Sequence, residues 1–165
     1  MSNPLIAPLP GDVLLWRGGE ALDLLVRIGT ASDYDHIGIV QPGNLTLEAL
    51  PGGVQANPIT ARYPFFLVSR NKNDWNGAAT ALAKVSVGVT EYSYLNDIAA
   101  AFGAQPFTDK EVQCAQLVKH VLQLLGEPIP ADLPITPDAV CFWLQQQGYV
   151  MQYQASSPPS PAAVA

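Results

Sequence analysis

Positive charge is scarce in this chain of 165 residues, in which 8 Lys and Arg stand against 14 Asp and Glu for a formal net charge of -6. The basic residues form no cluster, and a surface without one cannot neutralise a phosphate backbone, so no nucleic acid partner is expected. Long apolar runs are lacking as well. Although 48% of the residues are hydrophobic, no run approaches the roughly 20 residues that a membrane span requires, and no integral membrane segment is expected. Met1 to Pro10 holds no Lys or Arg and is broken by Pro4, Pro8 and Pro10, so the charged and apolar regions of a secretory signal are missing and the expected location is cytoplasmic by default. Histidine and cysteine are equally sparse. His36, His120, Cys114 and Cys141 match no zinc-ligand spacing, and one disulfide would be a weak framework for a chain this long, so two free thiols and no metal are expected.

What is present fits one α+β domain over residues 1–153, followed by a tail over 154–165 rich in Pro, Ser and Ala that reads as disordered. Pro10-Gly11-Asp12 is a turn signal, and Val13 to Trp16 after it has the length and apolarity of a strand. Residues 20 to 28 carry apolar side chains at helical spacing and stop at Gly29. Three further strands are expected at His36 to Val40, Leu45 to Leu50 and Phe65 to Ser69, with a shorter one at Val54 to Asn57. The result is a mostly antiparallel sheet of about five strands. Helices are expected from Asp74 to about Val87, from Ser93 to Phe102, from the capping box Thr108-Asp109-Lys110-Glu111 to Leu125 before Gly126, and from about Thr136 to Gln147 before Gly148.

The hairpin around Pro42-Gly43-Asn44 permits a register argument. With a loop of three residues, Gln41 faces Leu45 and Gly38 faces Glu48, which puts His36, Gly38 and Glu48 on one face of the sheet. Glu48 then lies diagonally from His36, and Gly38, without a side chain, leaves room between them. A four-residue loop would send Glu48 to the opposite face.

Cys114 is favoured over Cys141 as a nucleophile because it falls early in a helix, where the dipole favours the thiolate. His36, at the head of an apolar strand, is the candidate base. His120 is a poor partner for Cys114, since six residues along a helix set two side chains roughly 240° apart around the axis. Taken alone, Asp12 reads as a turn former and Trp16 and Tyr34 as packing residues. These three are also the candidate substrate-binding residues.

In order along the chain, Pro10-Gly11-Asp12-Val13, His36-Ile37-Gly38-Ile39-Val40, Glu48 and the helix around Cys114-Ala115 resemble the NlpC/P60 superfamily of papain-like cysteine peptidases. The ordinary family places its Cys helix first, whereas here that helix follows the His strand. The order resembles the circularly permuted YiiX/YaeF-like group, which also takes in the lecithin:retinol acyltransferase relatives. Tyr94 and Ile135-Thr136-Pro137-Asp138 extend the likeness to roughly residues 8 to 150. Ala115 departs from the Ser that many relatives carry after the cysteine, and the third position of the triad varies within the permuted group.

The resemblance implies a cysteine hydrolase needing no cofactor, in which His36 takes the proton of Cys114, Glu48 orients the imidazole, and the thiolate attacks a carbonyl to form an acyl-enzyme. Backbone N–H groups near Cys114 would meet the oxyanion. An amide bond in a peptidoglycan peptide is the expected substrate. A lipid ester or lipid amide, hydrolysed or used for acyl transfer, is the alternative. A third reading is a non-catalytic structural or binding module with an assembly partner in a virion or phage tail, where domains of this family occur.

Overall fold

The computed structural model describes residues 6–17, 33–50, 53–88 and 114–155. The expected helices at 20–28 and 93–102, the capping box at 108–111, Tyr94 and the residues after 155 lie outside them.

Six strands form one sheet: β1 (Val13–Trp16), β2 (His36–Gln41), β3 (Leu45–Leu50), β4 (Gly53–Pro58), β5 (Phe65–Ser69) and β6 (Val150–Gln154), in the order β4-β3-β2-β1-β5-β6. All five pairings are antiparallel. The expectation of about five strands is corrected by β6. Its sequence Val-Met-Gln-Tyr-Gln shows no clear apolar alternation because it runs along the sheet edge, where Val150 and Tyr153 are exposed.

Between β2 and β3 the pairs are Ile39 with Leu47, Val40 with Thr46 and Gln41 with Leu45. The turn is therefore the three-residue one, and the same register continued sets Gly38 opposite Glu48. Gly43 and Asn44, with φ of 88° and 58°, supply the left-handed backbone that this turn needs.

Three helices are described: α1 (Gly77–Ser86), α2 (Cys114–Leu124) and α3 (Pro137–Gln146). The first starts later than expected. Asn76, not Asp74, accepts from the Ala79 N–H as N-cap, because the Asp74 carboxylate is drawn to Arg70. Thr136 caps α3 by accepting from Ala139 N–H, with Pro137 in the first turn. Gly126 and Gly148 follow α2 and α3 with φ of 83° and 87°.

The pleat divides the core in two. Val13, Leu15, Ile37, Ile39 and Leu47 face the helices and pack with Leu117, Val118, Val121 and Leu122 of α2 and Val140 and Leu144 of α3. Each such buried side chain contributes about 1.5–3 kcal/mol. On the other face Leu14, Trp16, Val40, Phe65 and Leu67 gather with Ile59. Helix α2 packs on β2 and β3, which carries Cys114 to the strand that begins with His36.

Candidate functional site

His36 opens β2 and stands opposite Trp16, the last residue of β1. Its ring lies against the indole, with centroids 5.2 Å apart. Its Nε2 is 2.9 Å from Glu48 Oε2, and both side chains are buried. The Cys114 thiol, at the start of α2, is the other group that interacts electrostatically with the imidazole. Thus Cys114, His36 and Glu48, drawn from α2, β2 and β3, form one line of interacting groups.

Gly38 makes that line sterically possible. A Cβ there would come 2.7 Å from Thr46 Cγ2 and 2.9 Å from Glu48 Cγ, closer than carbon atoms tolerate. Glu48 lies in the space that Gly38 leaves, with Asn57 Nδ2 of β4 donating to Oε1 at 3.4 Å.

The electrostatics follow from this geometry. Burial alone would drive the proton off His36, but the bonds to Cys114 and Glu48 outweigh it and raise the imidazole pKa to about 9. Burial would likewise hold the proton on Cys114. The hydrogen bond and charge of His36, with the N–H groups of Ile37 and Ala115 directed at the sulfur, instead bring the thiol below its ordinary value. The two shifts agree in direction, each group favouring the charged form of the other. Cys141 behaves in the opposite way. Buried near Asp138, its thiol is pushed up to about 11, the behaviour of a core residue.

The three candidate substrate-binding residues have different surroundings. Asp12 is fully buried at the far end of β1 from Trp16, where its carboxylate accepts from the N–H groups of Leu9 and Arg70 and from Ser69 Oγ. Those bonds hold the turn and tie β1 to β5, and the structure does not bring Asp12 to Cys114, His36 and Glu48. Trp16 is brought there, as a buried wall behind the imidazole. Tyr34 lines an open pocket of about 530 Å³ with Asp138, Cys141 and Met151, and none of Cys114, His36 and Glu48 lines that pocket.

Arg62 was not among the sequence candidates. It follows a short 3-10 turn (Ile59–Ala61) after β4 and places its guanidinium over the Trp16 ring, 5.3 Å from the centroid. It also lies 4.0 Å from Glu48 Oε2 and 3.9 Å from Asp35 Oδ2. Nothing in the local sequence marks it, because its partners come from β1, β3 and the approach to β2.

No family model matches this chain, and no curated protein matches it. Solved structures do match. The metalloprotein YiiX from Escherichia coli O157:H7 aligns over 91% of this chain and 89% of its own, with 16% identity and a TM-score of 0.51. The chain has a YiiX-like α+β fold. At that identity the likeness concerns the path of the backbone, and the chemistry is argued from this chain's own side chains.

Proposed function

We propose that this protein is a cysteine hydrolase of the permuted NlpC/P60 type that cleaves an amide bond, with Cys114 as nucleophile, His36 as base and then acid, and Glu48 as the group that orients the imidazole. The observation that carries the reading is the buried carboxylate of Glu48 at 2.9 Å from His36 Nε2, on an imidazole that also interacts electrostatically with the Cys114 thiol. A core histidine needs neither a buried carboxylate nor a thiol beside it.

In the proposed cycle the thiolate attacks the carbonyl carbon, the oxyanion is met by backbone N–H groups around Cys114, and His36 passes its proton to the departing amine. The acyl-thioester is then opened by a water that gives its proton to the same imidazole. Glu48 keeps the ring aligned and offsets its charge through both steps. A peptidoglycan peptide is the proposed substrate class, on the strength of the sequence resemblance.

YiiX is a metalloprotein. In this chain His36 and Glu48 are turned on each other, and among the described residues no group of three or more His, Cys, Asp or Glu is placed to hold a metal ion. No step is therefore routed through a metal. The test is hydrolysis of peptidoglycan fragments and γ-glutamyl peptides by the wild type and by Cys114→Ala. Release of product by the wild type alone supports the reading, and equal rates would remove Cys114 from the mechanism.

A further inference from the structure

We propose that Arg62 is a positioning residue for the triad, acting through Glu48 to set the pH range over which Cys114 is a thiolate. The inference rests on the cysteine-hydrolase reading and adds a fourth residue to it. The buried Glu48 carboxylate is faced by His36 from β2, Asn57 from β4 and Arg62 from the segment after the Ile59–Ala61 turn. Of these only Arg62 carries a fixed positive charge. Asp35, one residue before His36, brings a second carboxylate to the same guanidinium. With Arg62 in place, two carboxylates and the Cys114 thiolate are set against the imidazolium and the guanidinium. Without it they face the imidazolium alone.

The position of Arg62 is fixed by a residue that also touches the reacting group. Trp16 Nε1 donates to the Arg62 carbonyl at 3.1 Å, its ring lies beneath the guanidinium, and the same ring packs on His36. Arg62 is 40% exposed at its side chain, so water reduces its influence and a moderate effect is expected. Removing a positive charge near the line disfavours the thiolate and strengthens the hold of His36 on its proton. Both limbs of the reactivity profile then move to higher pH.

The experiment is the pH dependence of Cys114 alkylation by iodoacetamide, with the site followed by mass spectrometry, in the wild type, Arg62→Gln, Arg62→Lys and Arg17→Gln. Arg17 is an exposed arginine paired with Asp33, and its removal changes the net charge equally. Near pH 6, Arg62→Gln is expected to react roughly two- to fivefold more slowly than the wild type. Arg62→Lys recovers most of that rate and Arg17→Gln keeps it. A profile that changes in height without moving along the pH axis overturns the proposal, as does an equal effect in Arg17→Gln. Failure of Arg62→Gln to fold while Arg62→Lys folds also overturns it, since the charge would then serve stability. A wild-type Cys114 that does not react below pH 8 refutes the hydrolase reading itself and this inference with it. A reactive wild type with an unmoved Arg62→Gln profile refutes this inference alone.

Discussion

Glu48 Oε2 and His36 Nε2 meet at 2.9 Å across two neighbouring strands, both buried, and the glycine between them on that face gives up its side-chain space to the contact. Gly38→Ala should therefore damage stability and site together. Its Cβ needs Thr46 and Glu48 to move, at a cost of about 1–3 kcal/mol in denaturant unfolding. Thr46→Ser removes the nearest methyl and should recover part of that loss in the double variant. Additive losses would show that the strain lies elsewhere.

The imidazole should keep its proton to unusually high pH. NMR titration of His36 is expected to give a midpoint near 9, against about 6.5 for an isolated histidine. Because the folded chain holds this proton more tightly than the unfolded one, its contribution to stability is complete below pH 6.5 and is lost as pH rises through about 9. Glu48→Gln removes the negative charge that favours the charged ring and should lower the midpoint. An unchanged midpoint would leave Cys114 as the sole cause.

Under the proposed mechanism, activity should depend on the order Cys114, His36, Glu48. Cys114→Ala is expected to lose activity by about 10³-fold or more, and Glu48→Gln by roughly a hundredfold. Rates for the wild type should fall above pH 9, where His36 loses the proton that the leaving group requires. Cys141→Ser should stay within about threefold of the wild-type rate, as expected for a core thiol that does not ionise. A steady-state assay on a fluorogenic amide would show whether the two cysteines separate in this way.

A second buried charge cluster should matter for folding only. Arg70, whose side chain is fully buried, pairs with Asp74 and Glu127 at 2.7 Å each and reaches the Gly11 carbonyl. Arg70→Met takes this cation from Asp74 and leaves Glu127 with the half-exposed Lys72, and should cost about 3–5 kcal/mol in urea unfolding. The pH profile of Cys114 alkylation should not move. A shifted profile would reveal coupling between the two ends of the sheet.

The paired part of the site was legible because it obeys short-range rules. A period of two along β2 and β3, together with a Pro-Gly-Asn turn, is enough to set His36 and Glu48 on one face. The approach of Cys114 is non-local, and no spacing in the sequence points to it; only a helix pattern joined to a family order does. Arg62 was missed because its contacts span three separate segments. Asp12 was read as a turn former, and the Leu9 N–H that it accepts fits that reading. Its bonds to Ser69 and Arg70 needed the pairing of β1 with β5 to become visible.

The edge strand β6 holds more than the margin of the sheet. Gln152 Oε1 accepts from the Ile6 N–H, and Gln154 Nε2 donates to the Ile6 carbonyl, both at 2.7 Å. The two outermost stretches of the described backbone are thus stitched side by side. A short tether from Gln154 to Ile6, with a new opening ahead of Cys114, would make the helix of that thiol the leading element while leaving every strand pairing in place. For this architecture, whether the thiol precedes or follows the imidazole is a matter of where the ring of backbone is cut.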